Sequence, residues 1–294
     1  MATNNEFRLF LNSMSLQIAS INSGSNGNCY YIGNDTEAVL VDAGISVRET
    51  EKRMKRMGLA IENVKAIFVS HEHSDHITGV PGLSKKYQLP VYITTATLAN
   101  GNIPVANELQ HSFLPHKPVQ IGALSVTAFP KYHDAADPHS FVISQDTLHI
   151  GVFTDIGIAC SQLRKYFNLC HAAFLEANYD VAMLEKGNYP YHLKKRISDG
   201  KGHLSNTQAL ELFLEQKPPH MTHLLLAHLS KNNNHPKIVE ELFLQHAGHT
   251  QIIVASRYQE SAVYVINGDN STQAFPAPVS KKKLSKNTEQ LSLF

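Results

Sequence analysis

The chain has 294 residues, of which 43% are hydrophobic and 17% are charged, and its formal net charge is +1. This length and composition allow one large α/β domain and exclude a low-complexity or collagen-like protein. The small net charge also excludes a general polycation, so any contact with a phosphate backbone has to be made locally.

Cysteine usage and hydropathy indicate the compartment. The three cysteines, none of them in a CxxC pair, are typical of a reducing environment rather than of a disulfide framework: Cys29, Cys160 and Cys170. The first residues, MATNNEFRLFLNSMS, lack the continuous apolar core of a secretory signal. No apolar run approaches the roughly 18 residues of a transmembrane helix. We therefore expect a cytoplasmic protein that does not span or bind a membrane.

The first part of the chain predicts a β-meander followed by a β/α unit. Residues 15–42 contain a strand, the turn SGSNGNC, the strand YYIG and the short strand AVLVDAG, which is stopped at Asp42. Apolar and charged residues recur at helical spacing from Val47 to Met57, and Gly58 stands where a C-cap is expected. The strand KAIFVS then leads to Ser70.

The second part repeats this order, with strands around 124–129, 139–145 and 148–153, a helix after Asp155, the strand HAAFLEA, a helical basic stretch, the strand HLLLAHLS and a helix over 236–247. Two such halves predict two sheets packed face to face with helices outside. From Asn267 onward the chain is rich in polar residues, prolines and lysines, which is typical of a flexible tail. We expect a catalytic domain over 1–266 and a tail over 267–294.

The segment SHEHSDH places four strong metal ligands within six positions, directly after an apolar strand. Alternation at the strand end points His71 and His73 the same way, and the following turn can bring Asp75 and His76 to an adjacent site. Imidazole and carboxylate suit Zn²⁺, and Mn²⁺ tolerates the same set. We expect two divalent metal ions, the alternative being a surface loop that happens to be rich in histidine.

His-x-His-x-Asp-His after a strand resembles the signature of the metallo-β-lactamase superfamily, and the resemblance extends over about residues 15–266. It implies a four-layer αβ/βα sandwich, with later ligands at His133 in PKYHDAAD, Asp155 in GVFTDIG and His228 in LLLAHLS. Taken alone, either histidine would more often be an ordinary polar residue at a strand end. The resemblance implies that one metal ion is bound by His71, His73 and His133, the other by Asp75, His76 and His228, and that Asp155 bridges them.

The same resemblance bears on the substrate. The commonest β-lactamases of this superfamily have cysteine where Asp155 stands, which disfavours antibiotic hydrolysis. Two ions roughly 3.5–4 Å apart can polarise a phosphoryl oxygen and generate hydroxide, and Asp75 is placed to orient that hydroxide as a catalytic group. The same machinery also opens thioesters and lactones, so the metals leave the substrate class open.

The segment KGHLSNTQ precedes a helical pattern, with Ser205 as N-cap and Gln208 as its capping-box partner. A helix N-terminus attracts anions, so we expect Ser205 and Asn206 to contact a phosphate. His203 would bind that phosphate or protonate the leaving oxygen. The alternative is a plain helix cap with a chance histidine. Ribonuclease Z and the β-CASP nucleases have a similar histidine before a helix.

Two further segments have two readings each. The basic stretch with Lys194, Lys195 and Arg196 either tracks a phosphate backbone or is a solvated helix face. The glycines of SGSNGNC permit a tight turn. In the alternative, the polar residues of that turn reach the terminal phosphate of the substrate: Ser23, Ser25 and Asn28.

The strings SGSNGNCYYIG, LEANYD, GNYPYHLKKRI, GHLSN and LAHLSKNNNHP resemble the WalJ (YycJ) branch of the superfamily, whose members are regarded as DNA-processing exonucleases. The resemblance implies a metal-dependent phosphodiesterase, a 5′-to-3′ exodeoxyribonuclease in DNA replication or repair. The alternatives are an RNA-processing nuclease like ribonuclease Z, a small-molecule thioester or lactone hydrolase, and a non-catalytic adaptor.

The chain ends in QLSLF behind a lysine-containing linker. This string resembles the pentapeptide with which bacterial proteins bind the DNA sliding clamp. Exposed apolar side chains gain free energy by burial, which favours docking on a partner through Gln290, Leu291, Leu293 and Phe294. The alternative is that the segment packs on its own domain.

Overall fold

The computed structural model describes residues 15–268, and in this part of the chain the strands form two seven-stranded sheets. The predicted tail therefore lies outside the described residues, apart from its first two positions. The first sheet contains β1 (Ser15–Asn22), β2 (Cys29–Gly33), β3 (Ala38–Val41), β4 (Val64–Phe68), β5 (Val91–Tyr92), β6 (Gln110–His111) and β14 (Tyr264–Asn267). The second sheet contains β7 (Pro118–Ile121), β8 (Leu124–Pro130), β9 (His139–Gln145), β10 (Leu148–Phe153), β11 (Ala172–Glu176), β12 (His223–Ala227) and β13 (Gln251–Val254).

Helices connect the strands and cover the outer face of each sheet. Along the first sheet they are α1 (Val47–Met57), α2 (Ser74–Ile77), α3 (Val80–Tyr87) and α4 (Thr95–Gly101). Along the second they are α5 (Ser161–Phe167), α6 (Val181–Lys186), α7 (Tyr191–Ser198), α8 (Asn206–Gln216) and α9 (Pro236–Leu244). No helix between residues 15 and 268 combines the length and the apolar character needed to cross a membrane.

Each sheet begins antiparallel and continues parallel. In the first, β1 pairs antiparallel with β2 and β14, whereas β3, β4, β5 and β6 run parallel. In the second, β7 to β10 pair antiparallel, whereas β10 to β13 run parallel. Because the carboxyl ends of neighbouring parallel strands meet at one edge of a sheet, the loops that follow them are brought together.

The core lies between the sheets and is rich in aromatic rings. Tyr30 packs on Phe174 with ring centroids 4.8 Å apart, and Phe68 meets Phe141 at 5.7 Å. Separate clusters fill the space between each sheet and its own helices, around Met54 in the first half and around Phe213 in the second. The predicted four-layer αβ/βα sandwich is confirmed.

Two predicted helices show how far local pattern specifies an element. The helix from Val47 to Met57 is confirmed, with Gly58 as its C-cap at φ 74°. The helix predicted over 236–247 is three residues shorter and ends at Leu244. The chain turns there, because His246 N bonds the carbonyl of Phe243, and further turns lead into β13.

Candidate metal centre

Strand ends place most of the predicted ligands at one edge of the sandwich. His71 and its neighbours follow β4, His133 follows β8, Asp155 follows β10 and His228 follows β12. Asp155 and His228 both have φ of 55°, a left-handed conformation that few non-glycine residues adopt. Such backbone is costly and is concentrated at functional sites, where it directs a side chain inward.

The first group of ligands consists of three histidines. His71 Nε2 lies 3.0 Å from His73 Nδ1, and His133 Nε2 lies 3.4 Å from the same atom. The outer nitrogens have other partners, since His71 Nδ1 contacts Ser70 Oγ at 2.9 Å and His133 Nδ1 donates to the carbonyl of Gly202 at 3.0 Å. Three inner nitrogens are therefore free to share one cation.

The second group lies beside the first. Asp75 Oδ2 is 3.6 Å from His76 Nε2 and 3.5 Å from His228 Nε2. These three atoms converge closely enough to bind one ion. The structure thus brings the members of each expected set together, and it also brings His71, His76 and Asp155 within the same distance of one another.

Asp155 lies between the two groups. Its Oδ2 is 3.1 Å from His76 Nε2, and its Oδ1 is 3.8 Å from His133 Nε2. The Oδ2 atom is buried and accepts no hydrogen bond from the described residues. A buried carboxylate oxygen that accepts no hydrogen bond is costly, and apart from the nearby His76 imidazole a bound cation would be its natural partner. The donor set and this oxygen therefore fit a divalent metal centre.

Two buried carboxylates that sequence reasoning did not assign to the site orient its histidines. Asp42 Oδ2 accepts from His76 Nδ1 at 2.7 Å, and Glu176 Oε1 accepts from His228 Nδ1 at 3.0 Å. Each bond fixes the tautomer that leaves Nε2 for the metal, as outer partners of ligating histidines commonly do. Both acids end parallel strands, in AVLVD and HAAFLE, and that pattern is the signal that could have identified them.

Burial and neighbouring charges set the pKa values of the ligands. Burial lowers the pKa of His133 to about 4, so the imidazole is neutral at physiological pH. Burial favours the neutral acid of Asp75, but the charges of His76 and His228 outweigh it and lower its pKa to about 2. Burial also opposes charge on His76, yet Asp155 and other carboxylates raise its pKa to about 10. Metal binding must therefore displace a proton from His76.

A cavity of about 270 Å³ opens over both groups of ligands. His203 lines it with its side chain 22% exposed, and its Nδ1 is bonded to Glu176 Oε1 at 2.7 Å. Arg196 also lines the cavity and pairs with Asp134 at 2.6 Å. The other members of the basic stretch, Lys194 and Lys195, lie along a different groove of α7.

The start of α8 has the predicted capping box, in which Ser205 Oγ accepts from Gln208 N and Gln208 Oε1 accepts from Ser205 N. Ser205 and Asn206 are each only 2% exposed. Asn206 Nδ2 donates to Asn234 Oδ1 at 3.0 Å. The structure therefore does not bring these two side chains to the cavity that His203 lines.

The turn SGSNGNC is the tight turn that its glycines predict, and one of its three polar residues reaches the cavity. Gly27 has φ of 141°, and a Cβ there would lie 2.3 Å from Ile45, so the turn requires glycine. Of the three polar residues considered, Ser25 lines the cavity. Ser23 Oγ accepts from His228 N at 2.8 Å, and Asn28 Nδ2 lies 3.2 Å from Asp75 Oδ2, so these two support ligands instead.

Comparisons with known proteins identify the family of the chain. A model of the Metallo-beta-lactamase superfamily matches residues 23–193. The chain is 36% identical over 226 residues to Exodeoxyribonuclease YycJ of Bacillus anthracis, which covers 75% of this chain and 85% of the relative. It is 32% identical over 217 residues to Exodeoxyribonuclease WalJ of Streptococcus pneumoniae, covering 72% and 81%.

Solved structures show the same fold at low identity. The metallo-beta-lactamase fold protein YhfI from Bacillus subtilis has a TM-score of 0.65 at 16% identity, covering 87% of this chain and all of that chain. The short form of human tRNase Z has a TM-score of 0.56 at 15% identity, covering 84% and 98%.

Proposed function

Because the chain belongs to the metallo-beta-lactamase superfamily, we propose that it is a metal-dependent exodeoxyribonuclease that degrades DNA from the 5′ end during replication or repair. The observation that carries this proposal is the complete ligand set with His203 beside it. Similarity to two exodeoxyribonucleases over about three quarters of the chain supports DNA as the substrate.

The proposed centre would bind two divalent ions, Zn²⁺ or Mn²⁺ or both. His71, His73 and His133 would hold one, Asp75, His76 and His228 would hold the other, and Asp155 is placed between the two groups. Bound ions of this kind supply Lewis acidity to a phosphoryl group and lower the pKa of water.

The remaining chemistry falls to side chains at the cavity. Asp75 is 19% exposed and ionised, so its carboxylate accepts a hydrogen bond from the attacking water and orients it. Glu176 accepts from His203 Nδ1 and stabilises the imidazolium form of His203, which would donate its Nε2 proton to the leaving oxygen and become neutral. Arg196 binds a backbone phosphate at the cavity wall.

One assay separates the substrate classes. Purified protein with Mn²⁺ or Zn²⁺ is incubated with 5′- or 3′-labelled single- and double-stranded DNA, with RNA and with a thioester. We expect DNA to be consumed from its 5′ end and Asp155→Ala to lose bound metal and nearly all activity while remaining folded. The control is Glu185→Gln, a substitution of an exposed residue. Faster turnover of RNA or thioester, or full activity of Asp155→Ala, would contradict the proposal.

His203 requires its own test, because its Nδ1 lies close to Asp155, Glu176 and His228 in a group that could itself hold a metal ion. If His203 is a proton donor, the variant His203→Ala should retain its metal content and cleave roughly 10²–10⁴-fold more slowly. Loss of an ion in this variant, measured by elemental analysis, would instead make His203 a ligand.

We further propose that the C-terminal pentapeptide tethers the enzyme to the bacterial DNA sliding clamp. Gln290, Leu291, Leu293 and Phe294 lie outside the described residues, and the match of their sequence supports the proposal. A tether raises the local concentration of the enzyme at DNA without a new contact at the active site. Leu291→Ala with Phe294→Ala should abolish clamp binding in calorimetry and leave cleavage of short oligonucleotides unchanged. An intact protein without affinity for its clamp at micromolar concentrations would refute the tether.

A further inference from the structure

A second groove adjoins the metal centre on the side of His228. Its volume is about 490 Å³, within the range of ligand sites. Four segments form its walls: residues 229–231 after β12, residues 234–236 at the start of α9, residues 254–259 from the end of β13 onward, and Ser23. Ser230 lines both this groove and the cavity over the metal ligands, so the two adjoin at this residue.

The groove is basic although the whole chain carries a net charge of only +1. Lys231 and Arg257 line it, and its lining residues include no aspartate or glutamate. Neither side chain makes a hydrogen bond or ion pair with any residue in the 15–268 range. Arg257 Nη1 is shielded from solvent without a partner there, which is unfavourable for a charged donor. Packing does not explain an arginine in this position, whereas a bound anion would.

The basic loop is fixed to the turn that supports the metal ligands. Ser256 O accepts from Ser23 N at 3.2 Å, and Arg257 O accepts from Asn26 Nδ2 at 2.8 Å. The buried Arg53 donates to Tyr258 O at 3.3 Å. The ring of Tyr258 is nevertheless 71% exposed beside Arg257. An exposed ring on a fixed backbone is the arrangement with which proteins stack nucleic-acid bases.

We infer that this groove binds the DNA strand beyond the scissile bond, with Lys231 and Arg257 on a backbone phosphate and Tyr258 stacked on a base. The inference rests on the proposed function and adds to it the residues along which the DNA strand runs. Lys231 follows His228 by three residues, which extend over at most about 11 Å. The rise per nucleotide along the axis of a duplex is about 3.4 Å, so this reach places the bound phosphate within a few nucleotides of the cut.

The test uses two double variants. The groove variant combines Lys231→Gln and Arg257→Gln, and the control variant combines Lys117→Gln and Lys165→Gln. Both control lysines are exposed, and Lys117 precedes β7 at the opposite edge of the second sheet. Cleavage of a 5′-phosphorylated 20-mer is measured in Mn²⁺ at several KCl concentrations. The groove variant should raise KM by at least about tenfold with kcat kept, and reduce the slope of log kcat/KM against log salt by about 2. The control should match the wild type.

Two substitutions at Tyr258 distinguish stacking on a base from a structural role of this residue. Tyr258→Ala should raise KM several-fold, whereas Tyr258→Phe, which keeps the ring, should match the wild type. Unchanged KM and salt slope in the double variant would overturn the inference, as would a loss confined to kcat, because the groove would then act through the metal centre. If the wild-type protein cleaves no DNA, the proposed function itself fails, and that outcome is visible before any variant is made.

Discussion

Replacing Glu176 with glutamine tests how the centre is held in its metal-binding form. Glu176 Oε1 accepts from the Nδ1 atoms of His203 and His228, and Oε2 accepts from the backbone N–H groups of Ile156 and Leu204. Glutamine has one acceptor oxygen, so one pair of donors must face its NH₂ group. If the backbone pair is kept, His228 Nδ1 becomes the acceptor and its proton moves to Nε2, which then cannot bind a metal ion.

The pKa of Glu176 gives the size of the effect. Burial raises this pKa, but the charge of His203 and the hydrogen bonds from His203 and His228 outweigh burial and lower it from 4.5 to about 2. Since the folded pKa lies below the unfolded one, the carboxylate stabilises the fold above pH 4.5, and this contribution is lost as the pH falls towards 2. The shift corresponds to about 3 kcal/mol. Two hydrogen bonds to a charged acceptor, at about 1.5–3 kcal/mol each, give the same order.

Urea unfolding of metal-free protein in EDTA measures this contribution. At pH 7 Glu176→Gln should be less stable than the wild type by about 3 kcal/mol, and the difference should narrow between pH 4.5 and pH 3. Metal affinity should fall about 10–100-fold, and the exposed Glu185→Gln should change neither quantity. A stability difference that does not vary with pH, or unchanged metal affinity, would refute the reasoning.

Three other substitutions test a partner of a metal-ligand histidine, the packing beneath the ligand loop and the core between the sheets. Asp42→Asn should lower metal affinity about 10–100-fold, measured by competition with a chelator, because an amide facing His76 Nδ1 favours the wrong tautomer. Gly44→Ala should reduce bound metal, measured by elemental analysis, because its Cβ would lie 1.7 Å from the carbonyl oxygen of Asp75. Phe174→Ala should lower the free energy of unfolding by about 3–5 kcal/mol in urea and leave the metal stoichiometry of the folded protein unchanged.

The part of the site that lies within one segment could be predicted from sequence, because neighbouring residues of the chain form it. The ligands from His71 to His76 follow one strand, so their spacing alone indicates a metal cluster. His133, Asp155 and His228 were predicted as ligands only through the family resemblance. Their convergence depends on pairing between distant strands, in which Phe153 aligns with Leu175 and Leu175 with Leu226. No local pattern contains that register.

The supporting residues were harder to predict because their roles depend on burial. Asp42 and Glu176 end ordinary strands, and only the packed structure shows that both are inaccessible to solvent and bonded to imidazoles. The direction of a polar side chain at a helix start is also set by tertiary contacts. Asn206 follows a correctly predicted N-cap, yet its side chain turns inward to Asn234.

The last strand of the described chain, β14, pairs with the first, β1, so Tyr264 lies opposite Ile18. The ligands are likewise divided between the two halves, since the second group is incomplete until His228 is present. During translation, a partial chain from the ribosome therefore holds at most a fraction of the centre. A product of premature termination or of proteolytic clipping before residue 228 would lack His228 and, on the proposed ligand set, a complete second group.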